Sequence, residues 1–433
     1  MRKHLTMFPF SFFSVLFIVS CSLFEQERVI LWTDVPEFAL YAAVFNASQT
    51  KYKVETHYFE LTAKKLSSTV EQPDIVVGRW LKSASTRYLF KPLDWLLKDN
   101  SLDGSAFYPK LLELGVIDNE QYLLPVSFNV PALVFARDNS DLLTDYFTVN
   151  LEEAKELGKA YNAMSRGAYT RIGFSPDWDD DFLFVSAALF TADFREGEPL
   201  TWDAAALTRA LEYDKAWIAE ANTSIQAVDD FTFKYFFEPP VKLILQGRIC
   251  FAYMNSAEIF TLDYDQQSNL DFRWIAEKER IPLSEDTVYY GLYQQGNIGK
   301  GAEVFTEWFF QIETQRRLLE NNKRQQLNAI LFGIAGGFSA MRNVTEEVFP
   351  RFYPSLLGHM PPDDFLTPPN ILPQNWLTVK ERVILPYMHE YIHAASAVDA
   401  TEDTENANGA VSPPVLKIRS LEDRVADWYR INK

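Results

Sequence analysis

A doubly wound α/β fold is what the sequence predicts, and three observations predict it. Residues 29–78 run strand, helix, strand, helix, strand, the order that builds a parallel sheet with helices on its faces. The first strand, Val29-Ile30-Leu31-Trp32-Thr33, is almost wholly apolar, as a strand covered on both faces must be. The chain has 433 residues, about 410 of them after an N-terminal leader, which is long for one domain and comfortable for two.

Taken in order, residues 22–28 read as a tether. Asp34 ends the first strand, and Pro36 opens a helix with Phe38, Ala42 and Phe45 on its apolar face. Val54, Thr56 and Tyr58 alternate as a second strand. Leu61–Val70 follows as a helix, Pro73 breaks it, and Asp74–Gly78 is the third strand. In such sheets ligands sit beyond the carboxyl ends of the strands, where Asp34 and Trp80 stand. Tyr122–Phe135 is β-prone but holds Asn129 and Pro131, so it divides into two strands joined by a crossing. Asn150 caps a helix with Glu153 at the third position, and Leu151, Ala154, Leu157, Tyr161 and Met164 recur at helical spacing as core. The turn Gly173–Trp178 leads into an apolar helix, Phe182–Phe190. Thr201 caps Trp202–Ala221, Phe236–Gly247 is a further helix, and Ile249–Met254 is a strand.

Leu270–Pro282 and Val288–Gln294 are strand-rich, and Val304–Leu319 is an aromatic-rich helix. Phe332–Phe338 is broken by glycines. Pro350–Pro373 holds seven of the 22 prolines and so has little regular structure. Val383–Val398 is helical. Residues 399–414 are polar, acidic and poor in apolar side chains, the composition of a mobile linker. Leu416, Leu421, Val425 and Trp428 mark one face of a closing amphipathic helix, residues 415–433.

The N-terminus carries an address. Arg2 and Lys3 precede the 13-residue, mostly apolar run Met7–Val19, too short for the roughly 20 residues a membrane span needs. Ile18-Val19-Ser20-Cys21 resembles a bacterial lipobox, which implies removal of residues 1–20 and lipidation of Cys21. Cys250 would then be the one remaining thiol, so no intramolecular disulfide can form; it lies in an apolar run as a buried structural side chain. Loss of Arg2 and Lys3 takes the net charge from −18 to −20, which makes nucleic acid an implausible partner. Aromatic residues make up 15% of the chain, enough to furnish a pocket as well as a core.

Several segments together resemble the solute-binding lipoproteins of bacterial ABC importers, in the maltose-binding-like class. They are Leu31-Trp32-Thr33-Asp34, a helix ending Phe45-Asn46, Pro73–Gly78, Leu124–Asn129, Gly247–Met254 with Asn255-Ser256, and Pro368–Pro373 before Trp376 and a helix. The resemblance runs from Cys21 to about Ala395; the acidic linker and terminal helix depart from it. It implies two α/β lobes joined by a hinge, with ligand in the cleft. On that basis residues 29–127 and 259–312 form lobe 1, and residues 128–258 and 313–398 form lobe 2. Crossings are expected near Val126–Asn129, Asn255–Leu262 and Ile312–Leu319. The implied protein is a monomer without cofactor, anchored to the bilayer through Cys21 on an extracytoplasmic face. It would pass a small polar solute, a sugar or oligosaccharide, to an ABC permease, and it would not be an enzyme.

A sugar offers hydroxyls and apolar C–H faces, so its site needs flat aromatic side chains plus carboxylates and amides. The candidates are Asp34, Trp80, Phe128, Asn129, Trp178, Asp179, Asn255, Tyr290 and Trp376. Gly336 and Gly337 could let backbone N–H groups approach the ligand, or simply make a tight turn. The acidity and aromatic content also suit a polyamine or other cation.

Other chemistry fits less well. Asp177, Asp179, Asp180 and Asp181 do not make an EF-hand, because Phe182 and Ala188 occupy the positions that need Gly and Glu. They suit a helix N-terminus instead. Gly337–Met341 lacks the second Gly of a nucleophile elbow, and Gly296–Gly301 lacks P-loop spacing. His389-Glu390-Tyr391-Ile392-His393 is a literal H-E-x-x-H, the zinc-protease pattern in which both histidines bind metal and Glu390 is the base. Pro386 crowds that helix, and no third His follows at metzincin spacing.

Overall fold

The computed structural model describes residues 26–66, 71–98, 102–296, 299–394 and 418–432. The leader, Cys21 and the acidic linker lie outside the described residues. Two sheets organise the chain. The first has six strands. Glu27–Thr33 lies between Tyr52–Tyr58 and Ile75–Gly78, parallel to both, and Val288–Leu292, Leu124–Phe128 and Phe338–Ser339 extend the sheet antiparallel. The second has four strands: Phe251–Asn255, Pro131–Ala136, Leu270–Ile275 and Thr148–Val149.

The break at Asn129 and Pro131 does divide the chain between sheets. Asn129 Nδ2 donates to the Gly336 carbonyl (3.1 Å), and its Oδ1 accepts from the Ser256 hydroxyl (2.7 Å). One buried amide thus holds the crossing to both sides.

The expected lobe boundaries differ from the sheets at two places. Leu270–Ile275 joins the second sheet, and Phe338–Ser339 joins the first. The stretch after Asn255 is no crossing: Ser256–Thr261 is a helix from which the chain returns to the same sheet. The chain crosses back through residues 276–287, where Ile281–Pro282 pairs with Leu366–Thr367. It leaves the first sheet for the last time after Phe338–Ser339. Ile312–Arg324 is a helix beside the first sheet, tied to it by the bond from the Ser339 hydroxyl to Gln315 Oε1 (2.6 Å). Apolar strands advertise burial but not their partners, so residue pattern could not assign these segments.

Helix ends follow local chemistry. Asp203, not Thr201, caps Ala204–Ala221, accepting from the Ala206 N–H at 2.8 Å. A helix Ile225–Lys234 precedes Pro239-Pro240, and those prolines start the next helix at Pro240–Leu245 rather than at Phe236. The Asn150-capped helix stops at Tyr161, so Met164 lies in a short strand and is exposed. Lys300–Phe309 and Ile312–Arg324 are separate helices where one was expected. The described part of the second helix is Thr62–Leu66. The last long helix starts early, at Trp376, and runs through a π-helical turn, Lys380–Ile384, into Leu385–His393. Pro386 can donate no bond to the carbonyl four residues back, and the widened turn absorbs that loss. The terminal helix Leu421–Ile431 buries Leu421 and Val425 against this segment. Cys250 is buried and free, its thiol pushed up to about 12 by burial, which suits a structural role.

Asp214, inside Ala204–Ala221, is wholly buried with one bond, from the Ser186 hydroxyl (2.9 Å). Burial raises its pKa to about 8. The folded state therefore holds a proton that the unfolded chain releases near pH 4, and stability falls as pH rises from about 4 to about 8. Asp214→Asn should remove that slope. Between pH 5 and pH 8, wild type should lose roughly 2–4 kcal/mol more than the variant in urea unfolding.

Candidate functional site

Both sheets send side chains to one cavity of about 260 Å³, near the small end of ligand sites. Trp80 comes from beyond the carboxyl end of Ile75–Gly78 in the first sheet. Its backbone is left-handed (φ 56°), a costly conformation for a bulky residue, and its carbonyl is held by the Ser83 N–H at 3.1 Å. Tyr253 and Asn255 come from the second sheet, and Asn255 also caps Ser256–Thr261 in a capping box with Glu258. Helix Asp180–Leu189 adds Asp181 and Phe184. The crossing adds Arg280, Glu285 and Asp286, and the proline-rich segment adds Asn370. Trp376 and Lys380 close the wall.

Charge in the wall centres on Lys380. Its Nζ donates to Asp181 Oδ1 (2.7 Å) and Glu285 Oε2 (3.1 Å) and lies 4.3 Å from the Phe184 ring centroid. Burial pulls its pKa down, but Glu285 and Asp181 outweigh burial and hold it at about 12. Glu285 is pushed above the usual carboxylate range by burial, against the pull of Lys380. The same Glu285 oxygen accepts from Trp376 Nε1 at 2.6 Å, which fixes the indole. Trp376 packs on Phe184 and Phe194 with centroids 5.9 and 5.5 Å away. Two wall residues hold buried polar atoms with no hydrogen-bond partner among the described residues: the donor Trp80 Nε1 and the acceptor Asp286 Oδ1.

Of the residues expected at the site, Trp80, Asn255 and Trp376 meet here. Asp34 stands at its strand end but outside this wall. It is buried, accepts from the Arg79 N–H (3.3 Å), lies 3.7 Å from the Arg79 guanidinium, and is raised to about 6 by burial. A Cβ on Gly78 would come within 2.6 Å of its carboxylate, so glycine makes room for it. Phe128 and Tyr290 pack in the core instead. Phe128 meets Tyr108 edge-on, and Tyr290 bonds Thr306 at 2.7 Å. Asn129 braces the crossing. Trp178 stacks on Phe231, and Asp179 caps Asp180–Leu189 by accepting from the Asp181 N–H (2.9 Å). Gly336 (φ 74°) and Gly337 form a turn whose close approach to Phe128 leaves no space for a Cβ at 337. Neither glycine lines the cavity.

Glu285, Lys380 and Phe184 were not anticipated; Asp181 belongs to the acidic cluster at a helix N-terminus from which one acid is expected to reach the cleft. Lys380 was within reach, because it lies one helical turn beyond Trp376 on the same face. Glu285 and Asp286 lie in an irregular crossing that gives no periodic signal.

The H-E-x-x-H stretch lies elsewhere. His389 and His393 face Asp177, while Glu390 turns outward to pair with Arg424 of the terminal helix. Hydrogen bonding to Asp177, with a further bond to Asp180, raises His389 to about 9.

No family model matches this sequence, and no curated protein matches it at the level of sequence. Solved structures do match over nearly the whole chain. The sugar-binding protein MalE of Xanthomonas citri is 10% identical, with a TM-score of 0.62 over 94% of this chain and 98% of its own. The cyclic α-maltosyl-1,6-maltose binding protein of Arthrobacter globiformis is 14% identical, with a TM-score of 0.59 over 94% and 100%. CpMnBP1, solved with mannotriose bound, is 13% identical, with a TM-score of 0.56 over 88% and 98%. At this identity the likeness is one of fold, and the chain has the two-lobed α/β fold of these solute-binding proteins.

Proposed function

We propose that this protein is the substrate-binding component of an ABC importer, capturing a neutral sugar or short oligosaccharide between its lobes. One observation carries the reading. The cavity wall sets the polar side chains of Asn255, Ser284, Asp286 and Asn370 among the aromatic rings of Trp80, Phe184, Phe194 and Tyr253. A sugar hydroxyl both donates and accepts, and C–H faces stack on indole, so a sugar satisfies both features at once. The structural neighbours that bind maltotriose, mannotriose and acarbose support the same class.

Ligand touching Trp80 and the second-sheet side chains together would favour a closed arrangement of the lobes. The sugar leaves chemically unchanged, and a membrane permease receives it. Lipidation at Cys21, which lies outside the described residues, would hold the receptor at an extracytoplasmic membrane face as a monomer. Among the described residues no helix is long and apolar enough to cross a membrane.

The rival readings are weaker. A polyamine would need several free acids, but Lys380 already occupies Asp181 and Glu285 and Arg195 lies 3.6 Å from Asp193, which leaves Asp286. A zinc protease would need Glu390 beside the two histidines, and it pairs with Arg424 instead. A thermal-shift screen against di- and trisaccharides, polyamines, peptides and zinc tests the proposal. A sugar at about 100 times its Kd should stabilise the fold by about 2.7 kcal/mol. Stabilisation by polyamines or peptides without any sugar effect would overturn it.

A further inference from the structure

We propose that Asp177, His389 and His393 form a binding site for a zinc-class divalent cation, with Asp180 as the carboxylate that positions His389. The observations are independent of the sugar cavity.

His389 and His393 lie four residues apart on helix Leu385–His393, so both imidazoles project from one face, with ring centroids 6.2 Å apart. Asp177 comes from a different element, the short turn Pro176–Trp178. Its Oδ1 lies 3.1 Å from His389 Nδ1 and 3.1 Å from His393 Nε2. All three ligand atoms fall within 4.8 Å of one another. A tetrahedral ion with bonds of about 2.0–2.1 Å needs its ligand atoms roughly 3.3 Å apart. The three groups therefore need little movement to enclose one.

The tautomer is also arranged. Asp180 Oδ1 lies 2.7 Å from His389 Nε2 and accepts its proton, so that with an ion bound Nδ1 gives up the proton it shares with Asp177 and turns its lone pair to the metal. A carboxylate behind a ligating imidazole is the usual outer-shell partner at zinc. Two imidazoles and one carboxylate suit zinc or its transition-metal neighbours, whereas calcium and magnesium prefer oxygen ligands. Both imidazoles are about one-third exposed, so an ion can enter and water can complete the coordination. Glu390, the base of the H-E-x-x-H pattern, is held by Arg424 instead of facing that water. The site is a clamp joining the turn before helix Asp180–Leu189 to helix Leu385–His393, the first just before Asp181 in the chain and the second just after Lys380.

The test uses the full chain without a polyhistidine tag, stripped with chelator and titrated with zinc chloride by calorimetry, with bound metal counted by elemental analysis. Wild type should bind one zinc per chain. His393→Ala and His389→Ala should each weaken binding at least a hundredfold, and Asp180→Asn ten- to a hundredfold. Glu390→Gln should bind like wild type, which separates this site from a protease centre. If an alanine variant misfolds, His393→Gln and the visible spectrum of the cobalt(II)-loaded wild type give the same test. Absence of stoichiometric metal in wild type, zinc binding that survives His393→Ala, or loss of zinc in Glu390→Gln would each overturn the proposal. In the first case the histidines serve only as ion-pair partners of Asp177 and Asp180. None of these results bears on sugar capture.

Discussion

Trp376→Ala should weaken sugar binding by more than tenfold and cost about 3–5 kcal/mol of stability. The indole is fully buried just behind the cavity wall, so its effect on binding runs through the wall residues it supports. Its ring packs on Phe184 and Phe194, and its N–H is fixed on Glu285. Removing it opens a void beside the ligand and frees Glu285 to reorient. Trp376→Phe separates the two effects. The ring still fills most of the space, so stability should fall by about 1–2 kcal/mol. The bond to Glu285 is lost, and binding should still drop. Calorimetric titration alongside urea unfolding of both variants makes the comparison.

Lys380→Met should cost about 3 kcal/mol, because breaking a buried ion pair leaves the partner charge uncompensated. The methionine keeps the apolar stem against Phe184 but removes the ammonium from Glu285 and Asp181. Asp181 is exposed and can turn to water, so most of the loss falls on Glu285. Burial already raises the Glu285 pKa, and without Lys380 the Trp376 N–H is left to oppose that rise. The penalty exists only while Glu285 is charged. It should therefore be larger at pH 8 than at pH 5, because a raised carboxyl pKa brings protonation nearer as the pH falls. Glu285→Gln in the Lys380→Met background should recover more than half of the loss at pH 8. Unfolding midpoints at the two pH values provide the readout.

Residues 29–78 disclosed their fold because each element there carries its own local signal. The apolar strand, Pro36, the alternation at Val54–Tyr58 and the break at Pro73 all point one way, and the parallel strands pair as those signals require. Asn129 and Pro131 likewise marked the crossing. The return of Leu270–Ile275 to the second sheet was not legible, since pairing partners are set by packing across long sequence separations. Trp80 and Trp376 were legible as residues that reach the cavity wall because both flank recognisable motifs. Tyr290 and Phe128 misled for the converse reason: an aromatic on a strand looks the same whether it meets ligand or core. Glu285 matters through its contacts with Trp376 and Lys380, about 90 residues away in the chain, and no local pattern reports such contacts.

Binding of a neutral sugar in the cavity between Trp80 and Trp376 is tested most directly by titrating the best sugar from the screen at low and high salt. The account predicts one sugar per chain, an affinity that changes less than twofold between 50 and 500 mM salt (about the limit expected for an uncharged ligand), and recovery of the sugar intact. An affinity that falls more than tenfold across that range, or a sugar recovered cleaved, would contradict it.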